Sequence, residues 1–123
     1  MTENPLKGEG GLRRLISAAQ NSLAGLADAL RCEVAFRLEV ILAVILVPLA
    51  FWIGKNGVER ALLIGSLLIV LVVELLNSAI EATVDRISLE RHPLARRAKD
   101  LASAAVMLAF ACAGLTWLLI FTG

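Results

Sequence analysis

The stretch ALLIGSLLIVLVVELLNSAI, residues 61–80, decides the fold, because it is long enough to cross a lipid bilayer as a helix. A bilayer core of about 30 Å requires roughly 20 apolar residues. The uncharged part, Ala61–Val73, has only 13 residues, so the span must continue through Glu74 and Asn77. Burying an acid at a helix centre costs about 2.5–3.5 kcal/mol. We therefore expect Glu74 to serve a function.

Composition and further apolar runs outside this stretch give the fold class. The chain has 123 residues, is 59% hydrophobic and has a mean hydropathy of +0.80, above what a soluble domain of this size contains. Leu101–Gly123 is uncharged over 23 residues, and Val40–Gly54 over 15. We predict an all-α membrane protein, residues 1–123 forming a single membrane domain. Its predicted transmembrane helices span residues 33–53, 58–87 and 95–121.

The distribution of lysine and arginine predicts the orientation of these spans. Five basic residues precede the first span, two lie in the turn at residues 54–60, and five cluster between Arg86 and Lys99. Cytoplasmic loops carry the excess of positive charge. The N-terminus and the loop at residues 86–100 are therefore predicted to be cytoplasmic. The two cysteines, Cys32 and Cys112, are predicted to be small buried residues and not a disulfide.

Residues 11–31 are predicted to form an amphipathic helix ahead of the first span. Leu12, Leu15, Ile16 and Leu23 recur at helical spacing, and polar residues take the other side. Because this stripe joins a span directly, we expect the helix to lie in the lipid headgroup layer. A cytosolic helix that packs on a partner is the alternative.

Polar residues form a stripe along one face of the second span. Glu74 lies about 20 Å from the outer boundary if Ala61 marks it, and Glu81 lies about 10 Å further, at headgroup level. Asp85 follows in cytoplasmic water. A stripe of this kind cannot face lipid tails. It fits a polar seam between helices, a proton or ion pathway, or an enzyme that acts on a lipid headgroup.

Acidic and basic residues of the other two spans are predicted to lie at the same membrane depth as this stripe. They favour the enzyme but do not exclude the polar seam or the ion pathway. Glu33 and Glu39 belong to the first span, and Lys99 and Asp100 lie at the mouth of the third. Interfacial carboxylates are oxygen ligands suited to Mg²⁺, and basic groups beside them suit a polyphosphate. Three spans enclose little volume, so we expect a homo-oligomer with sites at subunit boundaries.

Three segments carry a resemblance to a known family: CEVAFRLE (32–39), VELLNSAIEATVDR (73–86) and RRAKDLASAAV (96–106). They closely resemble the small prokaryotic diacylglycerol kinases, which are integral-membrane lipid kinases. The resemblance implies a homotrimer of three-span protomers, each with an N-terminal surface helix. It implies phosphoryl transfer from MgATP to 1,2-diacylglycerol, giving phosphatidic acid at the inner membrane of the bacterial cell.

The same resemblance implies roles for particular residues. Glu74 would be the catalytic base, and Glu33 and Glu81 would hold Mg²⁺. The residues implied to contact ATP are Arg14, Asn21, Glu33, Glu81, Glu90, His92, Lys99 and Asp100. Those implied to contact the lipid are Arg14, Ala18, Glu39, Glu74 and Ser103, with Asn77 and Asp85 supporting the cluster. The alternatives are an undecaprenol kinase of the same family and, in a different class, a small oligomeric proton or ion conductor.

Overall fold

The computed structural model describes residues 10–123, and these form four helices. The helices are α1 (Gly11–Cys32), α2 (Val34–Ile53), α3 (Gly57–Ile87) and α4 (Pro93–Thr122). The last three are long and apolar enough to cross a membrane. The predicted all-helical fold with three such helices is confirmed. Residues 1–9 of the predicted single domain lie outside the described residues.

The chain divides into two compact units, of which the first ends at Val34 and the second spans Ala35–Gly123. The first unit contains α1. Its apolar stripe is exposed, with Leu12, Leu15 and Leu23 each about two-thirds accessible. Opposite this stripe lie arginine, serine and asparagine side chains, so α1 is amphipathic as its spacing predicts. The helix ends at Cys32, and Glu33, its C-cap in an extended conformation, donates its N–H to the carbonyl oxygen of Ala29 at 2.9 Å.

In the second unit, α3 and α4 form a closely packed antiparallel hairpin. Its core contains Val70, Ala109 and Ala113, with Val73 packed against them. The small alanine side chains let the two helices approach closely, as membrane helices commonly do. At one end of the hairpin Trp117 Nε1 donates to the carbonyl oxygen of Leu63 at 3.3 Å. These contacts hold the hairpin together along its length.

The turn between α2 and α3 is short and well capped. The Asn56 side chain accepts a hydrogen bond from the N–H of Glu59 at 2.9 Å, an N-cap that begins α3. The Glu59 carboxylate in turn accepts from the N–H of Lys55 at 3.1 Å. Gly54 is required here, because a Cβ would lie 2.5 Å from Cγ of Arg60 and 3.0 Å from the carbonyl oxygen of Ala50.

The loop between α3 and α4 spans Ser88–His92 and is capped differently. His92 Nδ1 accepts a hydrogen bond from the N–H of Leu94 at 3.1 Å, and Pro93 occupies the first helical position. With 31 and 30 residues, α3 and α4 are each about 45 Å long, whereas the 20 residues of α2 make about 30 Å. The hairpin is therefore longer than the hydrocarbon core, and its excess length carries polar residues.

One prediction from the sequence is wrong. Cys32 and Cys112 are both free, as expected, but both are exposed in the chain and not buried. For Cys112, on α4, an apolar neighbourhood in the sequence does not distinguish a side chain that packs on protein from one on the outward face of a membrane helix. Cys32 is the last residue of α1 and lies between Arg31 and Glu33.

Candidate active site

Glu74 and Ser66 are the two buried polar residues of the second unit, and both lie on α3. The Glu74 side chain is 7% exposed, and it lies near the middle of α3. The carboxyl group of Glu39, from α2, lies close enough to interact with it electrostatically. The two acids predicted to serve the lipid side of the site are thus brought together.

Two buried acceptor atoms in the same cluster have no partner among the described residues. They are Oε2 of Glu39 and Oδ1 of Asn77. Asn77 donates from Nδ2 to Oε1 of Glu81 at 3.3 Å, so its amide oxygen remains for another donor. Buried acceptors are normally satisfied by protein or water. This part of the chain can therefore receive a hydroxyl group that donates.

Exposure increases along α3 from Glu74 toward its C-terminal end. Asn77 is half-buried, whereas Glu81 and Asp85 are exposed. From Glu74 to Asp85 the helix advances about 16 Å. One helix face thus carries acids from an apolar depth to an accessible end, which is the gradient that the sequence predicts.

An open pocket of about 730 Å³ lies where α3 ends and α4 begins. Four residues predicted to contact a nucleotide, together with Asp85, line it. The polar and charged lining residues are Asp85, Ser88, Glu90, Arg91, His92, Arg96, Lys99 and Asp100. The sequence-predicted residues of this end of the chain therefore share one cavity.

The charges around this pocket are partly paired. Lys99 Nζ donates to Oδ1 of Asp85 at 2.8 Å, an ion pair that joins α4 to α3 with both side chains nearly half exposed. Arg96 and Asp100 lie one turn apart on α4, with Nε and Oδ2 separated by 3.8 Å. Because Nδ1 of His92 accepts the Leu94 N–H, its neutral ring carries the hydrogen on Nε2.

The positive end of the α4 dipole meets the same pocket, at a helix start without acidic residues in its first turn. Arg91 and Arg96 add further positive charge to the lining. The positive end of a helix dipole and nearby guanidinium groups attract phosphate. The pocket can therefore hold a polyphosphate, with acidic side chains to orient it.

Other predicted site residues are not gathered by this pocket. Arg14, Ala18 and Asn21 are exposed on α1, and Glu33 is half-buried just after it, all within the first unit. Ser103 is exposed on α4 and is not part of the pocket lining. Within residues 10–123, no three histidine, cysteine, aspartate or glutamate side chains are close enough together to bind a metal ion.

Sequence reasoning missed two features of this region. It used Arg91 only to orient the membrane spans, and Arg96 for that and for the family resemblance, whereas both line the pocket. Basic residues on both sides of a helix start were a usable signal. It also placed Glu39 and Glu74 at similar depth without pairing them, and no signal in a single sequence joins two residues 35 positions apart.

Comparison with known proteins gives consistent matches over most of the chain. A family model described as prokaryotic diacylglycerol kinase matches residues 20–121. A diacylglycerol kinase of Pseudomonas aeruginosa is 52% identical over 123 residues, covering 100% of both chains. Those of Haemophilus influenzae and Escherichia coli are 50% and 48% identical over 107 residues, covering 87% of this chain and 91% and 88% of theirs.

Proposed function

This chain belongs to the prokaryotic diacylglycerol kinase family, and from that premise we propose that it transfers the γ-phosphoryl group of ATP to 1,2-diacylglycerol. The product is phosphatidic acid. One observation carries the proposal beyond the family name. A buried acid at apolar depth and an open, charged pocket lie on the same helix, about 16 Å apart along its axis. The conductor and the purely structural polar seam are not favoured by this family membership.

The depth of Glu74 suits a substrate that cannot leave the bilayer. Diacylglycerol keeps its acyl chains in the hydrocarbon and presents its hydroxyl group just beneath the headgroups. In the proposed step the Glu74 carboxylate removes the hydroxyl proton. The O–H bond breaks, an O–P bond forms to the γ-phosphorus, and ADP leaves with the electron pair of the broken P–O bond. Diacylglycerol has a single O–H, which the unpartnered oxygen of Glu39 or Asn77 can accept as the lipid enters, before Glu74 removes the proton.

The pocket at the start of α4 is the proposed ATP site. Phosphoryl transfer depends mainly on positioning and charge neutralisation. Arg91, Arg96 and the helix N-terminus supply positive potential, and Lys99 keeps two of its three N–H donors beyond the one used on Asp85. His92 offers Nε2–H, and Glu90 and Asp100 accept from ribose or adenine. In the assembled enzyme, Arg14, Asn21 and Glu33 complete the site.

Mg²⁺ is the proposed metal, and carboxylate chemistry fits it. Glu81 is exposed, and its carboxylate accepts one hydrogen bond, from Asn77. Its other oxygen lone pairs can therefore bind a metal ion. Glu81 and Glu33 would hold the ion, which supplies neutralisation of phosphate charge when bound. Glu81→Gln should raise the Mg²⁺ concentration for half-maximal rate at least about tenfold. An unchanged magnesium curve would contradict this ligand assignment.

We also propose a homotrimer in the inner membrane, with the N-terminus and residues 86–100 in the cytoplasm. The three helices of the described chain that could cross a membrane enclose little volume, so a subunit boundary is the natural place for the complete site. The basic residues around the pocket support a cytoplasmic α3–α4 loop by the positive-inside rule. Cytoplasmic ATP would then reach the pocket directly.

The decisive experiment offers lipids to the purified protein in mixed micelles with γ-labelled ATP and Mg²⁺. We expect label in phosphatidic acid when dioleoylglycerol is present. Undecaprenol is a parallel arm, because an undecaprenol kinase is the alternative within the family. Faster transfer to undecaprenol would reassign the substrate. Transfer to neither lipid at any magnesium concentration would overturn the kinase proposal.

A further inference from the structure

Arg60 lies at the end of the bundle opposite the kinase pocket, where α3 begins. It is half-buried, and its Nε is buried without a hydrogen-bond partner among the described residues. No carboxylate of residues 10–123 forms an ion pair with it. Leaving a buried N–H of a charged group without a hydrogen-bond acceptor costs free energy. An acceptor from outside the chain would remove that cost.

The side chain of Arg60 is held in one place by its surroundings. Its Cζ lies 6.0 Å from the centre of the Phe51 ring, within cation–π range. Gly54 leaves the space that its Cγ occupies, since a Cβ there would come within 2.5 Å. The guanidinium is thus positioned before any ligand arrives, which lowers the entropic cost of binding.

The other charged groups of this turn already have acceptors or donors. Lys55 Nζ donates to the carbonyl oxygen of Gly123 at 3.0 Å. The Glu59 carboxylate accepts from the N–H of Lys55. Arg60 is therefore the charge of the α2–α3 turn that is left without a counter-group in the described chain.

We propose that Arg60 binds the phosphate group of a membrane phospholipid in the leaflet opposite the kinase pocket. Arg60 is the fourth residue of α3, so it lies about 5 Å below the start of the helix, near headgroup level. The oxygen acceptors outside the protein at that depth are those of water and of lipid headgroups, and only a phosphate also offers a counter-charge. Guanidinium groups bind phosphate with two parallel hydrogen bonds and strong charge assistance.

Neighbouring aromatic residues favour a lipid over a free anion. Phe51 and Trp52 are both exposed, Trp52 to 82%, at the end of α2 beside this turn. Aromatic side chains at this level contact the upper acyl chain and the glycerol region. A soluble phosphate would gain nothing from them. The site should therefore prefer a phosphate that is attached to acyl chains.

Native mass spectrometry of the full-length protein in detergent tests this inference, with dioleoylphosphatidylglycerol as the probe. Arg60→Gln should weaken retention of the lipid at least about tenfold. Lys55→Gln removes the same charge from the same turn and should leave retention within about twofold, because Lys55 already has its acceptor. Arg60→Lys keeps the charge without the planar fork and should give an intermediate loss.

Equal lipid retention by wild type, Arg60→Gln and Arg60→Lys would overturn the proposal. If Arg60→Gln does not fold, Arg60→Lys alone decides the question, since undiminished binding would contradict a role for the guanidinium fork. Displacement of the lipid by millimolar inorganic phosphate would show that a free anion is bound, and would also overturn it. A change in oligomer mass without any change in lipid retention would assign Arg60 to a second copy of the chain. This readout is bound lipid and does not depend on kinase turnover.

Discussion

The two ends of the α2–α4 unit contain similar polar and charged residues, but those residues make different kinds of contact. At the α2–α3 end, three residues reverse the chain, and Asn56, Glu59 and Lys55 bond to nearby backbone groups. At the α3–α4 end, five residues connect the helices around an open pocket, and its charged side chains remain accessible. Capping occurs at both ends, by Asn56 and by His92.

The comparison shows that similar charged residues have different roles, depending on whether they bond to the backbone or to another side chain. Charges satisfied by the backbone, such as Lys55, fix a tight turn and leave Arg60 as the charged group of that end available to a ligand. Charges that face each other across a cavity, such as Asp85 and Lys99, join two helices and still offer donors and acceptors. We therefore expect substitutions at the α2–α3 end to change stability, and those toward the α3–α4 end to change catalysis.

The largest expected effect is that of Glu74→Gln on turnover. An amide cannot accept the hydroxyl proton, so kcat should fall at least about 10²-fold while the KM for ATP changes little. The measurement is phosphoryl transfer to dioleoylglycerol in mixed micelles. Glu59→Gln makes the same substitution near the start of the same helix and should leave kcat unchanged. Normal turnover by Glu74→Gln would refute its assignment as the base.

The next effect is on stability, at the opposite end. Gly54→Ala places a Cβ against Arg60 and the Ala50 carbonyl, so unfolding should become easier by about 1–3 kcal/mol. Thermal unfolding in detergent measures this. Gly65→Ala is the matched control, since nothing lies within 4 Å of its added Cβ. Equal melting temperatures for the two variants would show that the tight turn can relax without cost.

The smallest effect concerns the ion pair at the pocket. Lys99→Gln removes one charge that we propose for phosphate binding, and the KM for ATP should rise about tenfold with a smaller change in kcat. Asp85→Asn retains Lys99 but weakens its positioning, and we expect about a threefold rise. Steady-state kinetics at varied ATP separates KM from kcat. A fall in kcat alone would place Lys99 in the chemical step.

Helix type and span number could be predicted from the sequence because membrane crossing is a matter of length and polarity. Leu101–Gly123 is uncharged throughout, and α4 contains all of it except its final glycine. The depth gradient from Glu74 to Asp85 followed from helical rise alone, since it involves one continuous helix.

Contacts between helices were beyond prediction for a related reason. The Glu39–Glu74 pair and the Lys99–Asp85 ion pair each join residues on different helices, and spacing along one helix does not determine how it rotates against another. The exposure of Cys112 shows the same limit, because lipid-facing and protein-facing positions of a membrane helix are equally apolar. Only the packing of Val70 on Ala109 and Ala113 fixes which face turns inward.

The unequal packing of the three long helices has a mechanical consequence. The α3–α4 hairpin is fastened by Trp117 at one end and Lys99 at the other, whereas α2 joins it through the capped turn and has no comparable backbone packing within residues 10–123. Glu39 lies about 21 Å along α2 from that turn. A tilt of about 5° there would displace Glu39 by about 2 Å. A tilt of α2 about that turn would therefore change the separation of Glu39 and Glu74 without breaking the contacts that fasten the hairpin.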